Sequence, residues 1–332
     1  MDNLTHTAIG LFLARVGLGR WSPLATPIVI VAANIPDIDV VSWAGGSATY
    51  LAWHRHLTHS FLMMPVMALA AVAIVRLAGR RPVHWTGAFF AALIGVASHL
   101  ALDWTNVYGI RLLLPFSGRW LRADLTSVVD PWIWAVLGLS VAGPFLARLV
   151  GSEIASGAAR ERHHGRGFAC FALAAVLLYD CGRGVLHARA VASLGARLYD
   201  GAVPLRVAAM PHTLNPLRWR GIVETPGAFA IQEVDLAGTS APAHPAIFHK
   251  PGDDPALEAA RRTAPFQAFL RFAQYPMWRV TPYAGVEDGK LVEAFDLRFG
   301  TPLAPGFVTS AVLDSRLHLV ESRFQFGAAR PR

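Results

Sequence analysis

Four apolar runs of about twenty residues, the length that crosses the hydrocarbon core of a bilayer, constrain this chain more than any other feature. They are Ser60–Ala78, Trp85–Thr105, Pro131–Val150 and Gly167–Leu186. Two further runs, Thr5–Gly19 and Pro23–Val41, bring the expected number of spans to six. The first of these is short, and a re-entrant or interfacial helix is the alternative for it. Charged residues make up only 16% of the 332 residues and hydrophobic ones 54%, whereas a soluble domain carries about 25% charged residues. The first 190 residues are therefore expected to form an all-α, multi-pass membrane domain.

The net charge of +8 comes almost wholly from arginine, because Lys250 and Lys290 are the only lysines. The arginines are scattered without interleaved aromatic residues, so no nucleic-acid surface is expected. They do orient the spans. One set of loops holds Arg15, Arg20, Arg76, Arg80, Arg81, Arg148, Arg160, Arg162 and Arg166, and the opposite set holds Arg55, Arg111, Arg119 and Arg122. Positive charge favours the cytoplasmic side, which puts the first set inside and both termini outside. The N-terminus lacks a basic region followed by a small-residue cleavage site, so no cleavable signal peptide is expected. Cys170 and Cys181 fall in one apolar run, about 16 Å apart at 1.5 Å per helical residue, too far for a disulfide.

Residues 191–332 differ: proline, glycine and polar residues rise and the long apolar runs stop. Leu291, Phe295, Leu297 and Phe299 share one face at period two, and Arg323–Phe326 alternates likewise. Trp219–Thr225, Ala228–Leu236 and Met277–Tyr283 are further strand candidates, and Ala256–Gln274 reads as helix interrupted by Pro265. This pattern predicts a smaller α+β domain, mainly antiparallel β, on the extracytoplasmic side.

Ionisable residues at membrane depth are expensive and usually functional. In the expected topology His6, Asp37, Asp39, His59, His99 and Asp103 all fall at span ends on the non-cytoplasmic side. His and Asp together are a ligand set for zinc and similar divalent ions. His99 and Asp103, at i and i+4, share a helix face and can reach one ion; a helix-end hydrogen-bonded pair is the alternative. His56 and His59 are at i and i+3, with Thr58 placed to cap the third span, and His59 is the better ligand candidate because it lies nearer that span. His54 and His56 are open between ligand, supporting and substrate-contact roles, and a solvated loop would carry them equally well. Arg55 is placed to hold an anionic substrate oxygen. Asp37 and Asp39 would diverge on a helix, but Pro36 breaks it and lets both carboxylates turn inward, where they repel unless a cation lies between them. Asp130, before Pro131, has the pattern of a helix N-cap; it and Asp124 are alternatively supporting groups of the site. Asp37, His56 and Arg55 are the candidate catalytic residues.

The ordered set His6, Pro36-Asp37-Ile38-Asp39, His56-Leu57-Thr58-His59-Ser60, His99-Leu100-Ala101-Leu102-Asp103, Tyr108-Gly109 and Val129-Asp130-Pro131 resembles the YdjM/YbcI-type family of inner-membrane metal-dependent hydrolases, also called LexA-binding. The resemblance covers about residues 1–190. More distantly it is similar to the zinc-dependent phospholipase C and P1-nuclease group. It implies metal roles for His59, His99, Asp103 and one or both of Asp37 and Asp39, with His6 a possible ligand of a second ion. The downstream His and Glu ligands of a trinuclear site have no match.

These readings predict a hydrolase in the bacterial inner membrane that holds one or two Zn2+ or similar ions and cleaves a phosphodiester or other ester, a membrane lipid among the candidates. A bound ion of this kind lowers the pKa of a water to about 7 and polarises a phosphoryl or carbonyl oxygen. No Gly-Xaa-Ser-Xaa-Gly elbow, phosphate loop or His-Glu-Xaa-Xaa-His motif offers rival chemistry. Two alternatives belong to other classes. One is an ion-coupled transporter, with Asp180 and Arg183 as its polar groups inside a span. The other is a partner-binding regulatory protein of the LexA type, using the basic loop Glu153–Arg166.

Overall fold

The computed structural model describes residues 1–154, 164–238 and 244–327. Arg160, Arg162 and His163, in the basic loop, lie outside the described residues. Seven helices come first: α1 (Asn3–Val16), α2 (Ala25–Ala32), α3 (Ser47–Trp53), α4 (Met64–Gly79), α5 (Trp85–Thr105), α6 (Pro131–Ile154) and α7 (His164–Gly195). Single-turn and longer 3-10 segments cover Leu18–Arg20, Ile35–Gly45 and Leu57–His59. The chain divides into two compact units. One comprises Met1–Ile38, Arg55–His187 and Pro211–Pro216; the other comprises Asp39–His54, Ala188–Met210 and Leu217–Arg332.

In the first unit α2 packs against α1, α4 and α5. Its core is rich in alanine: Ala32, Ala68, Ala71, Ala88 and Ala92 are buried with Ile28, Val72, Val96 and Leu100. Small residues let backbones approach where lipid tails supply no hydrophobic drive between helices. Gly10 of α1 faces Ala33 Cβ and Ile30 Cα, and Gly95 of α5 faces Ala32 Cβ and Val29 O, so a side chain at either position would meet α2 or its end at 2.9–3.2 Å. A second cluster joins Phe12 of α1, Leu102 of α5, Ile133 and Leu137 of α6, and Ala169, Ala172 and Val176 of α7.

Among the described residues two helices, Trp85–Thr105 and Gly165–Gly195, are long and apolar enough to span a membrane. The number rises to four if two bent pairs, Ala25–Ala32 with Ile35–Gly45 and Ser47–His59 with Met64–Gly79, each count as one span. The expected six are not reproduced. The 14 residues of α1 reach only about 21 Å at 1.5 Å per residue, short of the roughly 30 Å hydrocarbon core. Among the described residues α6 contributes a shorter apolar helix, Pro131–Ala147.

The second unit is built on two sheets. One has the order β1–β2–β3–β4, from Arg206–Pro211, Arg218–Glu224, Ala228–Asp235 and Ala246–His249. Then come helices α8 (Pro255–Arg261) and α9 (Ala264–Phe272), separated where Pro265 opens the second helix. The other sheet is antiparallel, in the order β10–β9–β6–β5: β5 is Pro276–Tyr283, β6 Gly289–Asp296, β9 Phe307–Leu313 and β10 Leu319–Phe326. The short pair β7 (Gly300–Thr301) and β8 (Ala304–Pro305) lies in the connection. Phe266, Phe269 and Phe272 of α9, with Phe295, Val308 and Phe324, are buried, and α9 packs on β9, β10 and α3. The expected strand through Phe299 ends earlier, at Asp296. There the Asp296 carboxylate accepts the Arg298 N–H at 3.1 Å and a guanidinium N–H of the same arginine at 2.7 Å, which turns Leu297–Phe299 into a 3-10 segment.

Gly95→Val should overpack the α2–α5 contact and remove about 1–3 kcal/mol of stability. In thermal unfolding of detergent-purified protein this appears as a lower midpoint. Gly138→Ala, at a helical position with open space around it, should leave the midpoint unchanged or slightly raised.

Candidate metal centre

Four side chains from four chain segments converge in the first unit: Asp37, His59, His99 and Asp103. Pro36 sets up the first. It lies in the 3-10 segment that follows the end of α2, where Asn34 Nδ2 donates to Ile30 O at 2.8 Å and the Asp37 N–H donates to Asn34 O at 3.1 Å. This turn carries the Asp37 carboxylate inward. His59 ends the short turn Leu57–His59. Ser60, not Thr58 as the sequence predicts, receives a backbone N–H before α4, from Met63 at 3.3 Å. Thr58 Oγ1 instead lies 3.0 Å from His59 Nδ1.

His99 and Asp103 project from one face of α5, as the i, i+4 spacing requires. His99 Nδ1 is 2.8 Å from Ala33 O, a carbonyl that the end of α2 leaves without a helical partner. Donation from Nδ1 fixes the tautomer and turns the Nε2 lone pair toward the other three residues.

The spacing of the converging atoms decides what they can do. His59 Nε2 and His99 Nε2 are 3.2 Å apart. Asp37 Oδ1 lies 3.4 and 3.6 Å from these two nitrogens, and Asp103 Oδ2 lies 3.4 and 3.5 Å from them. Most of these separations exceed a good N–H···O distance. They match the edge of a tetrahedron whose centre is about 2.0–2.1 Å from each corner, roughly 3.3–3.4 Å, the geometry of zinc on His and carboxylate ligands. Asp103 Oδ2 is buried and accepts no hydrogen bond. An ionised oxygen in that position is costly unless a cation meets it. The donor set and the spacing therefore fit a divalent ion.

The other expected site residues take different places. His6 is fully buried and stacks on the His99 ring, with centroids 3.8 Å apart, and its Nε2 is 3.5 Å from Asp103 Oδ1. The α-amino group of Met1 contacts the same oxygen. Arg55 is buried at 3% exposure and its backbone is left-handed, at φ +55°. Its guanidinium donates to Asp103 Oδ1 at 2.9 Å and to Asn106 Oδ1 and Gly109 O at 3.2 Å each, and lies 4.7 Å from the Tyr108 ring centre. It thus holds a cluster carboxylate, a role the sequence reading did not give it. His56 is half-buried and its carbonyl accepts the His59 N–H at 3.1 Å. Asp39 and His54 belong to the second unit and pair there at 2.9 Å, with Tyr50 stacked on His54 at 4.6 Å. Asp124 pairs with Arg122. Asp130 caps α6, accepting the N–H groups of Trp132 at 3.0 Å and Ile133 at 3.3 Å, and Tyr179 donates to it. Asn106 is absent from the sequence reading. Its position three residues after Asp103, at the end of α5, is the signal that would have found it.

Residues 1–190 match the YdjM inner membrane protein family, and the chain belongs to that family. Residues 255–327 match the YfhP C-terminal alpha/beta plait domain. The uncharacterised protein YfhP of Bacillus subtilis (strain 168) is 25% identical over 313 residues, covering 90% of this chain and 87% of that protein. No solved structure matches the chain.

His99→Ala and Asp103→Ala should each strip the purified protein of bound metal, measured by mass spectrometry of the elements after equilibration with zinc.

Proposed function

We propose that this YdjM-family chain is a membrane-bound metal-dependent hydrolase of ester or phosphodiester bonds. The observation that carries the reading is the set of four converging donor atoms, whose N–N and N–O separations match tetrahedral edges and one of which is a buried carboxylate oxygen that accepts no hydrogen bond. Four protein ligands would close a zinc site, as in structural centres, whereas catalytic centres keep three and an open position. Exposure separates the four. The side chains of His59 and His99 are 0% exposed and that of Asp103 is 1% exposed, while that of Asp37 is 15% exposed. His59, His99 and Asp103 are thus the holding set, and Asp37 is the group that meets solvent and substrate. A divalent ion there, Zn2+ or similar, supplies Lewis acidity and a more acidic water.

The residues of the chain divide the remaining work. The Asp37 carboxylate takes the proton of the attacking water and returns it to the leaving oxygen. Ala33 O and Thr58 hold the two imidazoles in orientation, and Arg55 holds Asp103. Asp37 lines a cavity of about 400 Å³ together with Ile30, Val31, Asn34, Ile35 and Ile38. Its walls are mainly apolar, with Asn3 and Asn34 beside Asp37 and no cation, which suits the acyl chain of a membrane lipid better than a free nucleotide. The arginine distribution supports a site and a C-terminal domain on the non-cytoplasmic side of the inner membrane.

The transporter reading draws less support. Arg183, the buried cation of α7, donates to Leu125 O at 2.9 Å and to Pro216 O. It ties the helix to neighbouring loops in place of a relay.

Asp37→Asn should keep bound zinc while lowering hydrolysis of phospholipid and carboxylester substrates by about 10²–10⁴-fold, the usual contribution of a general base. Chelator should abolish the wild-type rate. Unchanged hydrolysis in Asp37→Asn would remove Asp37 from this role.

A further inference from the structure

We infer that the Arg55 guanidinium occupies the place of a second metal ion, so that the centre holds one ion per chain. The inference rests on the metal-centre reading above and deepens it.

The Asp103 carboxylate presents its two oxygens to different surroundings. Oδ2 faces His59 and His99 and accepts no hydrogen bond. Oδ1 accepts from Arg55 Nη2 at 2.9 Å, from Asn106 Nδ2 at 3.3 Å and from the α-amino group of Met1. In a two-ion centre the metals sit about 3.5–4 Å apart, and a carboxylate between them gives one oxygen to each. Here the second oxygen is already committed. Its cation is a guanidinium, which keeps its charge at any physiological pH and cannot dissociate from the chain.

The fork is also immobilised. Its other terminal nitrogen donates to Asn106 Oδ1 and Gly109 O, and its flat face lies over Tyr108. A left-handed backbone at Arg55 is uncommon for a residue with a side chain, and here it aims the guanidinium at Asp103.

Charge points the same way. Asp37 and Asp103 contribute −2, Arg55 and the α-amino group of Met1, when protonated, contribute +2, and one divalent ion brings the buried group to +2. A second would bring it to +4, and uncompensated buried charge is strongly destabilising. His6, whose Nε2 is 3.5 Å from Oδ1, is then a stacking support for His99 and not the ligand of a second ion.

Titration of detergent-purified, metal-free protein with Co2+, followed by its visible absorption and by the metal-to-protein ratio after desalting, tests this. Wild type and His6→Ala should both saturate at one equivalent. Arg55→Glu, which puts a carboxylate where the guanidinium was, should take up a second equivalent. Two equivalents in wild type, loss of an equivalent in His6→Ala, or one equivalent in folded Arg55→Glu would overturn the inference. No bound metal in wild type would instead remove the metal-centre reading on which it rests.

Discussion

Two imidazole nitrogens that lie 3.2 Å apart and 3.4–3.6 Å from each of two carboxylate oxygens inside an apolar helical unit form a group whose lone pairs and charges repel unless positive charge stands among them. The surrounding structure is organised to hold that arrangement. α5 supplies two of the four groups, the broken end of α2 supplies the third, and the turn before α4 supplies the fourth. The alanine-rich contacts of α2 with α1, α4 and α5 set how closely these segments approach. The carbonyl of Ala33, freed by the end of α2, fixes the His99 ring. Packing and site geometry are therefore one problem here, because the glycines that admit α2 also place the carbonyl that orients the ligand.

Much of the centre was legible because helical periodicity makes it so. His99 and Asp103 share a face by spacing alone, and Pro36 announces the break that turns Asp37 inward. The contacts of Arg55 were not legible because its neighbours are distant in sequence: Asp103, Asn106, Tyr108 and Gly109 lie about fifty residues away. In the C-terminal part the alternating strands β2, β3, β5 and β6 follow from period-two patterning. β9, the strand between β6 and β10, was missed. Its sequence, Phe307–Leu313, is buried on both faces and carries Thr309 and Ser310 side by side at its centre, and so lacks the alternation that identifies a half-exposed strand.

The span count shows the same limit from another side. Hydropathy finds apolar segments but not their length as continuous helix. α1 is apolar yet too short to cross a bilayer unaided, and the Pro36 and His59 regions break two apolar runs into bent pairs. Those breaks coincide with two of the four metal-ligand candidates. Irregular backbone at membrane depth is tolerated where it is buried in protein or lines a cavity, and here it delivers Asp37 and His59 to the centre.

X-ray absorption at the zinc edge of the purified, zinc-loaded protein tests the central claim most directly. A first shell of nitrogen and oxygen at about 2.0–2.1 Å with the outer-ring scattering of two imidazoles is predicted. A sulfur shell, an all-oxygen shell without imidazole scattering, or no retained zinc would contradict it.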